Sequence, residues 1–488
     1  MVYSPSIGKI FRAPYPLKYQ SPSMSRYGKT LIKVLVMIAF STMSIASNDS
    51  SVSPSEQKIT HAPQSHVLTN INVWSPNGEW IVYDVRSGSG FDGSKIERVH
   101  VRTGEVECLY KSANGAHCGV VTYSPVDPQV VFILGPEHPT ADWNYHFTRR
   151  RGAVVDDGRP GVARPLDAMN YAPPFAAGAL RGGSHVHVFS PDGRYVSFTY
   201  EDAVLAQLDA DPAAPPHEPN QRNVGVTVLG SPVAVASTHP RNNDGDGFSV
   251  IVTRTVADPR PGSDEISKAF EEGWVGREGY RTADGALQRA LAFQGLVTAP
   301  DGRSHAEVFI VDLPADLSRG GGTALAGTTT TRPVPPVGTM QRRLTYTAER
   351  RCPGLATTPR HWLRASPDGS SIGFLMADDA GVVQLWTVSP LGGEMRQITH
   401  NPVGISSAFT WSPDGERITH VMDGSVCETR LDTGETTRLT ALDDSDSAPS
   451  ALACVYSPDG SQISYMRLVG EFNQIFLVAS CVPGKQVD

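Results

Sequence analysis

Cysteine is scarce and scattered. The six residues (Cys108, Cys118, Cys352, Cys427, Cys454 and Cys481) in 488 form no C-x-x-C pair, which argues against a thiolate zinc site and a dense disulfide framework. Basic charge is also in deficit: 42 Lys and Arg stand against 50 Asp and Glu, so nucleic acid is not the expected partner. The chain has no P-loop and no G-x-S-x-G elbow, which removes P-loop nucleotide enzymes and peptidases with an α/β-hydrolase domain. Long apolar runs are missing too. Val34–Phe40 is an uninterrupted apolar stretch of seven, too short to span a bilayer.

That stretch has its own reading. Residues 1–46 carry six Lys and Arg and no Asp or Glu, and Lys29–Ala46 ends in the small-x-small sequence Ser44-Ile45-Ala46. Basic flank, short apolar core and small-residue ending are the parts of a secretory signal. It would start at Met24 and be cleaved after Ala46, making 1–46 leader and signal and 47–56 a linker. The expected location is periplasmic or secreted, with no transmembrane segment after signal removal. A misannotated start would instead leave the protein cytoplasmic.

What the chain does have is turns, with 46 Gly and 38 Pro. The pattern apolar-aromatic-Ser-Pro-Asp-Gly-x-x-apolar-x-apolar recurs, with variations, at Ser75, Ser124, Ser190, Ser366, Ser412 and Ser457. Pro sets φ, Asp-Gly tolerates positive φ, and alternating strands flank the turn, so each copy is a hairpin. Successive gaps are 49, 66, 176, 46 and 45 residues, and the long gap holds two units, one of them swollen. Seven units of four strands predict an all-β, seven-bladed β-propeller over 57–483, with a short tail at 484–488. "QKITHAP" at 57–63 resembles the ends of other blades ("RQITHNP"), while the last blade has only three strands. The N-terminal segment is therefore expected to supply the missing outer strand and close the ring. In blade four, an insertion of about 257–290 contains "PGSDEISKAFEEGWVG". Ser263 reads as an N-cap, and Ile266, Ala269, Phe270 and Trp274 share one helical face, predicting a short helix. A linker loop of about 315–341 follows.

The repeats resemble the TolB-like, or WD40-like, propeller repeat. Residues 57–483 are similar to the YidR-like family, defined by a domain of unknown function, through "HVLTNINVWSPNGEWIVYDVR", "GAHCGVV", "LRGGSHVHVFSPDG", "PGSDEISKAFEEGWVG" and "PRHWLRASPDG". That family brings no settled activity with it.

In a propeller the first strand of each blade lines the channel, so residues at equal distance upstream of each turn serine should lie at equal depth. Five residues upstream stand Asn70, His185 and His361 in blades one, three and five; His187 is two residues further along, and His117 and His66 are near the same mouth. Converging histidines suit a divalent metal, or an anionic ligand when protonated; they equally suit water-bridged ties between blades. A distant similarity to oligogalacturonate lyases, carried by "GAHCGVVTYSPVDPQVVFILGPEHP" and "SHVHVFSPDG", implies more. By that resemblance His185, His187 and His361 would hold manganese, His117 would be the base in a β-elimination on uronides, and Arg150, Arg151 or Arg181 would pair with a carboxylate. The lyases' glutamine-containing ligand cluster has no counterpart here at matching spacing. Three readings stay open: ligand binding at a histidine-lined mouth, a metal-dependent lyase acting on an oligosaccharide, and a non-catalytic scaffold for an envelope protein partner.

Overall fold

The Ser-Pro-Asp-Gly segments build the fold through one local network. In blade three the Ser190 hydroxyl donates to Asp192 (2.6 Å) and accepts the Tyr195 amide (3.0 Å), while the Ser190 amide binds the Tyr195 carbonyl. Gly193 takes the left-handed corner at φ 68°, a conformation that costs glycine nothing. Ser75, Ser366, Ser412 and Ser457 repeat the arrangement with Asn77, Asp368, Asp414 and Asp459. The computed structural model describes residues 56–87, 91–320, 322–452 and 454–481, all within the unit Val52–Asp488. The leader and signal, the linker up to residue 55 and the tail at 484–488 lie outside the described residues.

Each turn joins the first two strands of a four-stranded antiparallel sheet. There are seven such sheets, with first strands at His66–Val67, Cys118–Tyr123, Gly182–Phe189, Ala269–Trp274, Arg364–Ala365, Thr410–Trp411 and Cys454–Tyr456. The protein is a seven-bladed β-propeller. Its ring is closed from the N-terminus: Gln57–Lys58 pairs antiparallel with Phe472–Ala479, in register Gln57 with Leu477 and Lys58 with Phe476. Glu56 accepts from Arg467 Nε at 2.8 Å and from the Tyr465 hydroxyl. Ile59, Val67 and Tyr83 then share an apolar cluster with Val455, Met466 and Leu477, each fully buried aliphatic side chain contributing roughly 1.5–3 kcal/mol.

Blade four differs from the sequence expectation. Ala269–Trp274 is its innermost strand and not a helix, paired antiparallel with Ala290–Thr298. Ile266, Ala269 and Trp274 satisfy a helical spacing, but Trp274 occupies the aromatic site that precedes the turn in other blades, and its indole nitrogen donates to Val188 O at 3.0 Å. Cross-blade bonding overrides local periodicity here. The strand Phe248–Ile251 is the outer strand of blade three. The insertion also holds a small hairpin, Tyr280–Arg281 with Leu287–Gln288. The helices among the described residues lie elsewhere: Ala203–Asp209, capped by Asp202, and Gly322–Ala326 in the linker loop.

Neighbouring blades are tied at the channel by side chains that cap backbone carbonyls. Trp74 and Trp411 donate, like Trp274, to the preceding blade (Val455 O at 3.1 Å, Arg364 O at 2.9 Å), while Thr122 and Thr410 donate to the following one (His187 O and Cys454 O, both 2.8 Å). Blades two and three share one further knot. The fully buried Asp167 accepts from Gly152 N, Ser184, Thr227 and Ser249 at 2.8–3.1 Å, with His187 Nε2 at 3.8 Å. Burial alone would raise its pKa; the facing imidazole and the hydroxyls outweigh that and hold the carboxyl below its ordinary range.

Two predictions follow from closure and from this knot. Deleting residues 56–60 should strip hydrogen-exchange protection from the amides of Phe472–Ala479 while leaving Ile372–Ala377 protected; equal protection in both would contradict the closing role. Asp167→Ala leaves four donors unsatisfied and should cost about 3–5 kcal/mol in urea unfolding, whereas a loss below about 1 kcal/mol would show the knot to be dispensable.

Candidate functional site

The inner strands of four adjacent blades depart from regular extension at one level. Asn72, Val120, Val186 and Glu271 have φ of 51°, 56°, 56° and 55°, and the pairing register slips between Gly119 and Thr122, His185 and Val188, and Phe270 and Gly273. These are β-bulges. Two of the left-handed residues are valines, for which positive φ is strained, and such strain collects at sites that use it.

The bulge at Val186 sends the two histidines of blade three to different places. His185 is buried at 5% exposure, and its Nδ1 has no hydrogen-bond partner. His187 turns into the junction with blade two, where its Nε2 meets Ser184 Oγ at 3.0 Å beside Asp167. His361 sits within blade five, Nδ1 against Pro359 O and Nε2 accepting the Leu375 amide, both at 3.2 Å. His66 is occupied by Asn473 O at 3.1 Å. Asn70 accepts from Arg364 across the channel at 2.6 Å.

Equal sequence offset therefore does not give equal orientation, because an extra residue in the strand reverses which face follows. His185, His187 and His361 are not brought together as metal ligands. Among the described residues no three of His, Cys, Asp and Glu converge. The manganese that the resemblance implies does not fit this donor set, since His361 spends both ring nitrogens on the backbone.

What His185 does face is a cluster of cations. Burial first, then the nearby charges of Arg150, Arg222 and Arg360, hold its pKa well below the ordinary histidine value, so the imidazole is neutral at pH 7. Arg150 donates to the Tyr145 hydroxyl at 3.0 Å, but its buried Nε has no partner. Arg222 pairs with Glu201 at 2.6 Å. Arg360 pairs with Glu271 at 2.8 Å and lies over the Trp362 ring, 4.4 Å from its centroid. Lys268, its pKa lowered by burial and by Arg222, stacks on Phe270. Four cations thus meet two carboxylates. Trp362 Nε1 and Glu271 Oε2 are unpaired as well. Beneath them Glu272, pushed up to about 7 by burial, accepts from Thr199 at 3.0 Å.

His117 is half-buried beside Tyr145, with ring centroids 6.4 Å apart, at the edge of this cluster. Arg150 belongs to the cluster; the other two candidate arginines do not. Arg151 reaches away to Asn243 at 2.8 Å. Arg181 is 1% exposed, ion-paired with Asp202 at 2.7 Å, and bound to the carbonyls of Thr328 and Thr331, so it staples the linker loop to blade three and has no route to a substrate. Arg222, Arg360, Lys268 and Trp362 escaped the sequence reading because charged residues at strand ends carry no periodic signal; Arg360 and Trp362 flank His361 in "PRHW". At the turn end of the channel, a cavity of about 360 Å³ is lined by Trp74, Trp274, Trp411, Tyr123 and the turn prolines. Its three indole N–H groups are already spent between blades.

Comparison with known proteins places this architecture. Residues 117–243 match the family described as "Protein of unknown function (DUF3748)". Among solved structures, an oligogalacturonate lyase in complex with manganese is similar at TM-score 0.54 and 13% identity, covering 88% of this chain and 94% of that one. The oligogalacturonate lyase of Vibrio parahaemolyticus is similar at TM-score 0.50 and 9% identity, covering 88% and 95%. At these identities the likeness is one of fold. The uncharacterized protein YidR of Escherichia coli K12 is 48% identical over 415 residues, 84% of this chain and 94% of that protein, and the chain belongs to the YidR family.

Proposed function

We propose that the protein binds an anionic ligand, a carboxylate-bearing sugar or a short oligomer of one, at the channel mouth around His185. The observation that carries this reading is an excess of cations around a buried imidazole, with unpaired buried donors at Arg150 Nε and Trp362 Nε1. An arginine presents planar paired donors to a carboxylate, and burial makes each such contact stronger than it is in water. Phe91 and Tyr145, stacked at 4.5 Å, and Trp362 offer flat apolar faces of the kind that accompany polar groups in ligand sites. His185 contributes as a neutral hydrogen-bonding group; the positive charge comes from Arg150, Arg222, Arg360 and Lys268. Export by the signal expected at Met24–Ala46 would set this binding in the periplasm or outside the cell.

The fold likeness to oligogalacturonate lyases favours uronides as the ligand class and keeps a lyase as the second reading. Nothing in the mouth's donor set supplies that reading with a metal, so no elimination step is assigned here.

Calorimetric titration with digalacturonate and with its neutral galactose counterpart tests the proposal. Binding should be selective for the acid and should weaken with added salt. Arg222→Gln or Arg360→Gln should lower affinity by about 10-fold or more. His185 is already neutral, but Glu272, pushed up to about 7 by burial, gains a proton and loses its negative charge as pH falls from 8 to 6, so affinity for the acid should rise over that interval and stay flat in Glu272→Gln. Equal affinity for both sugars, or affinity that falls as pH is lowered from 8 to 6, would overturn it. Unsaturated product appearing in the same mixtures and lost in His185→Ala would favour the lyase.

A further inference from the structure

Arg149, Arg150 and Arg151 are consecutive, and the chain deals them to opposite sides. Arg150 goes to the channel mouth, while Arg149 and Arg151 line a separate cavity of about 190 Å³ between the loops at 135–151 of blade two and 240–243 of blade three. Alternation along an extended segment produces this division. Arg241 enters the same cavity from blade three, fixed by the carbonyls of Glu137 and His138 at 2.5 and 2.9 Å. Trp143 forms a wall: Tyr171 meets it edge-on at 4.9 Å, and the Arg149 and Arg241 guanidinium carbons lie 4.8 and 6.0 Å from its ring centroid.

The charges in this cavity are unbalanced. Three guanidiniums face one lining carboxylate, Glu137, which reaches Arg151 at 3.8 Å. Arg149 is held only by a long contact to Asn144 at 3.5 Å. The Tyr171 hydroxyl has no protein hydrogen-bond partner among the described residues, and burial raises its pKa while the three arginines pull it back down. Arg241 and Arg151 already have acceptors in the carbonyls of Glu137 and His138 and in Asn243, so the donors left over are the Tyr171 hydroxyl and most of the Arg149 and Arg151 forks. The cavity is smaller than the roughly 300–1,000 Å³ of whole small-molecule sites, so it suits a single charged group.

We propose that this cavity is a second binding site, for a compact oxyanion: a carboxylate or phosphate group that accepts hydrogen bonds from Arg149, Arg151 and the Tyr171 hydroxyl against the Trp143 wall. It is independent of the mouth. A bidentate guanidinium contact would fix the orientation of the anion, and the Tyr171 hydroxyl would discriminate against chloride-like spheres by direction.

The test follows the Trp143 indole resonance, assigned with Trp143→Phe, in the full chain during titration with inorganic phosphate and, separately, acetate. A saturable shift with one or both is expected, and the stronger of the two identifies the source of the oxyanion. Arg149→Gln should weaken it by about 10-fold or more, and Tyr171→Phe by several-fold, with melting temperatures close to wild type. Arg360→Gln at the mouth should leave this titration unchanged, which separates failure of this site from failure of the mouth. Absence of a saturable shift with either anion, or an Arg149→Gln variant that titrates like wild type, overturns the proposal.

Discussion

A ring of seven sheets must settle the polar backbone that its inner strands present to the channel, and this constraint organises the rest of the molecule. Strand pairing within a blade satisfies only one edge of an innermost strand. Trp74, Trp274 and Trp411 reach back to a carbonyl of the preceding blade, and Thr122 and Thr410 reach forward to the next. In blades one, four and six one tryptophan thereby fills apolar volume and donates a hydrogen bond at once. Near the turns the channel is consequently rich in rings. Its spare polar capacity lies at the other end.

At that other end the bulges take over. Inserting a residue at Val120, Val186 or Glu271 swings the following side chains by one face, so that His185 and His187, two apart, do not share a compartment. His187 is absorbed into the Asp167 knot between blades, and His185 is left facing the arginines. A regular strand would have aimed both at the same side. The strain stored in the left-handed Val186 is the cost of that separation, of order 1–3 kcal/mol, and the closed ring supplies the packing that holds it.

This also explains which parts of the molecule could be read from residues alone. The blade count was legible because a Ser-Pro-Asp-Gly turn is local chemistry: the serine, the carboxylate and the left-handed glycine lie within four positions. The closing strand was legible because "QKITHAP" repeats the form of other blade ends. Blade four was not legible, since its first strand lacks that turn and Ile266, Ala269, Phe270 and Trp274 happen to fall on one helical face; pairing with Ala290–Thr298 and the bond from Trp274 to Val188 O declare it a strand. At the site, residue type was legible and direction was not. His185 and Arg150, named from their residue types, lie near one another. His361 was expected beside them, but bonds to Pro359 and Leu375 turn it into its own blade.

The electrostatics of the mouth rest on a choice made by burial. A protonated His185, itself buried, would add a fifth charge to Arg150, Arg222, Arg360 and Lys268, and desolvation together with like-charge repulsion forbids it. The guanidiniums cannot shed their protons in the same way. They are instead neutralised in part, Arg222 by Glu201 and Arg360 by Glu271, while Arg150 receives only the phenol of Tyr145. A buried charge lacking a counter-ion is costly unless a bound anion completes it. The uncompensated charge of Arg150 is therefore stability that the folded chain forgoes and an anion would restore, and its two neighbours in sequence repeat the arrangement around the Trp143 wall.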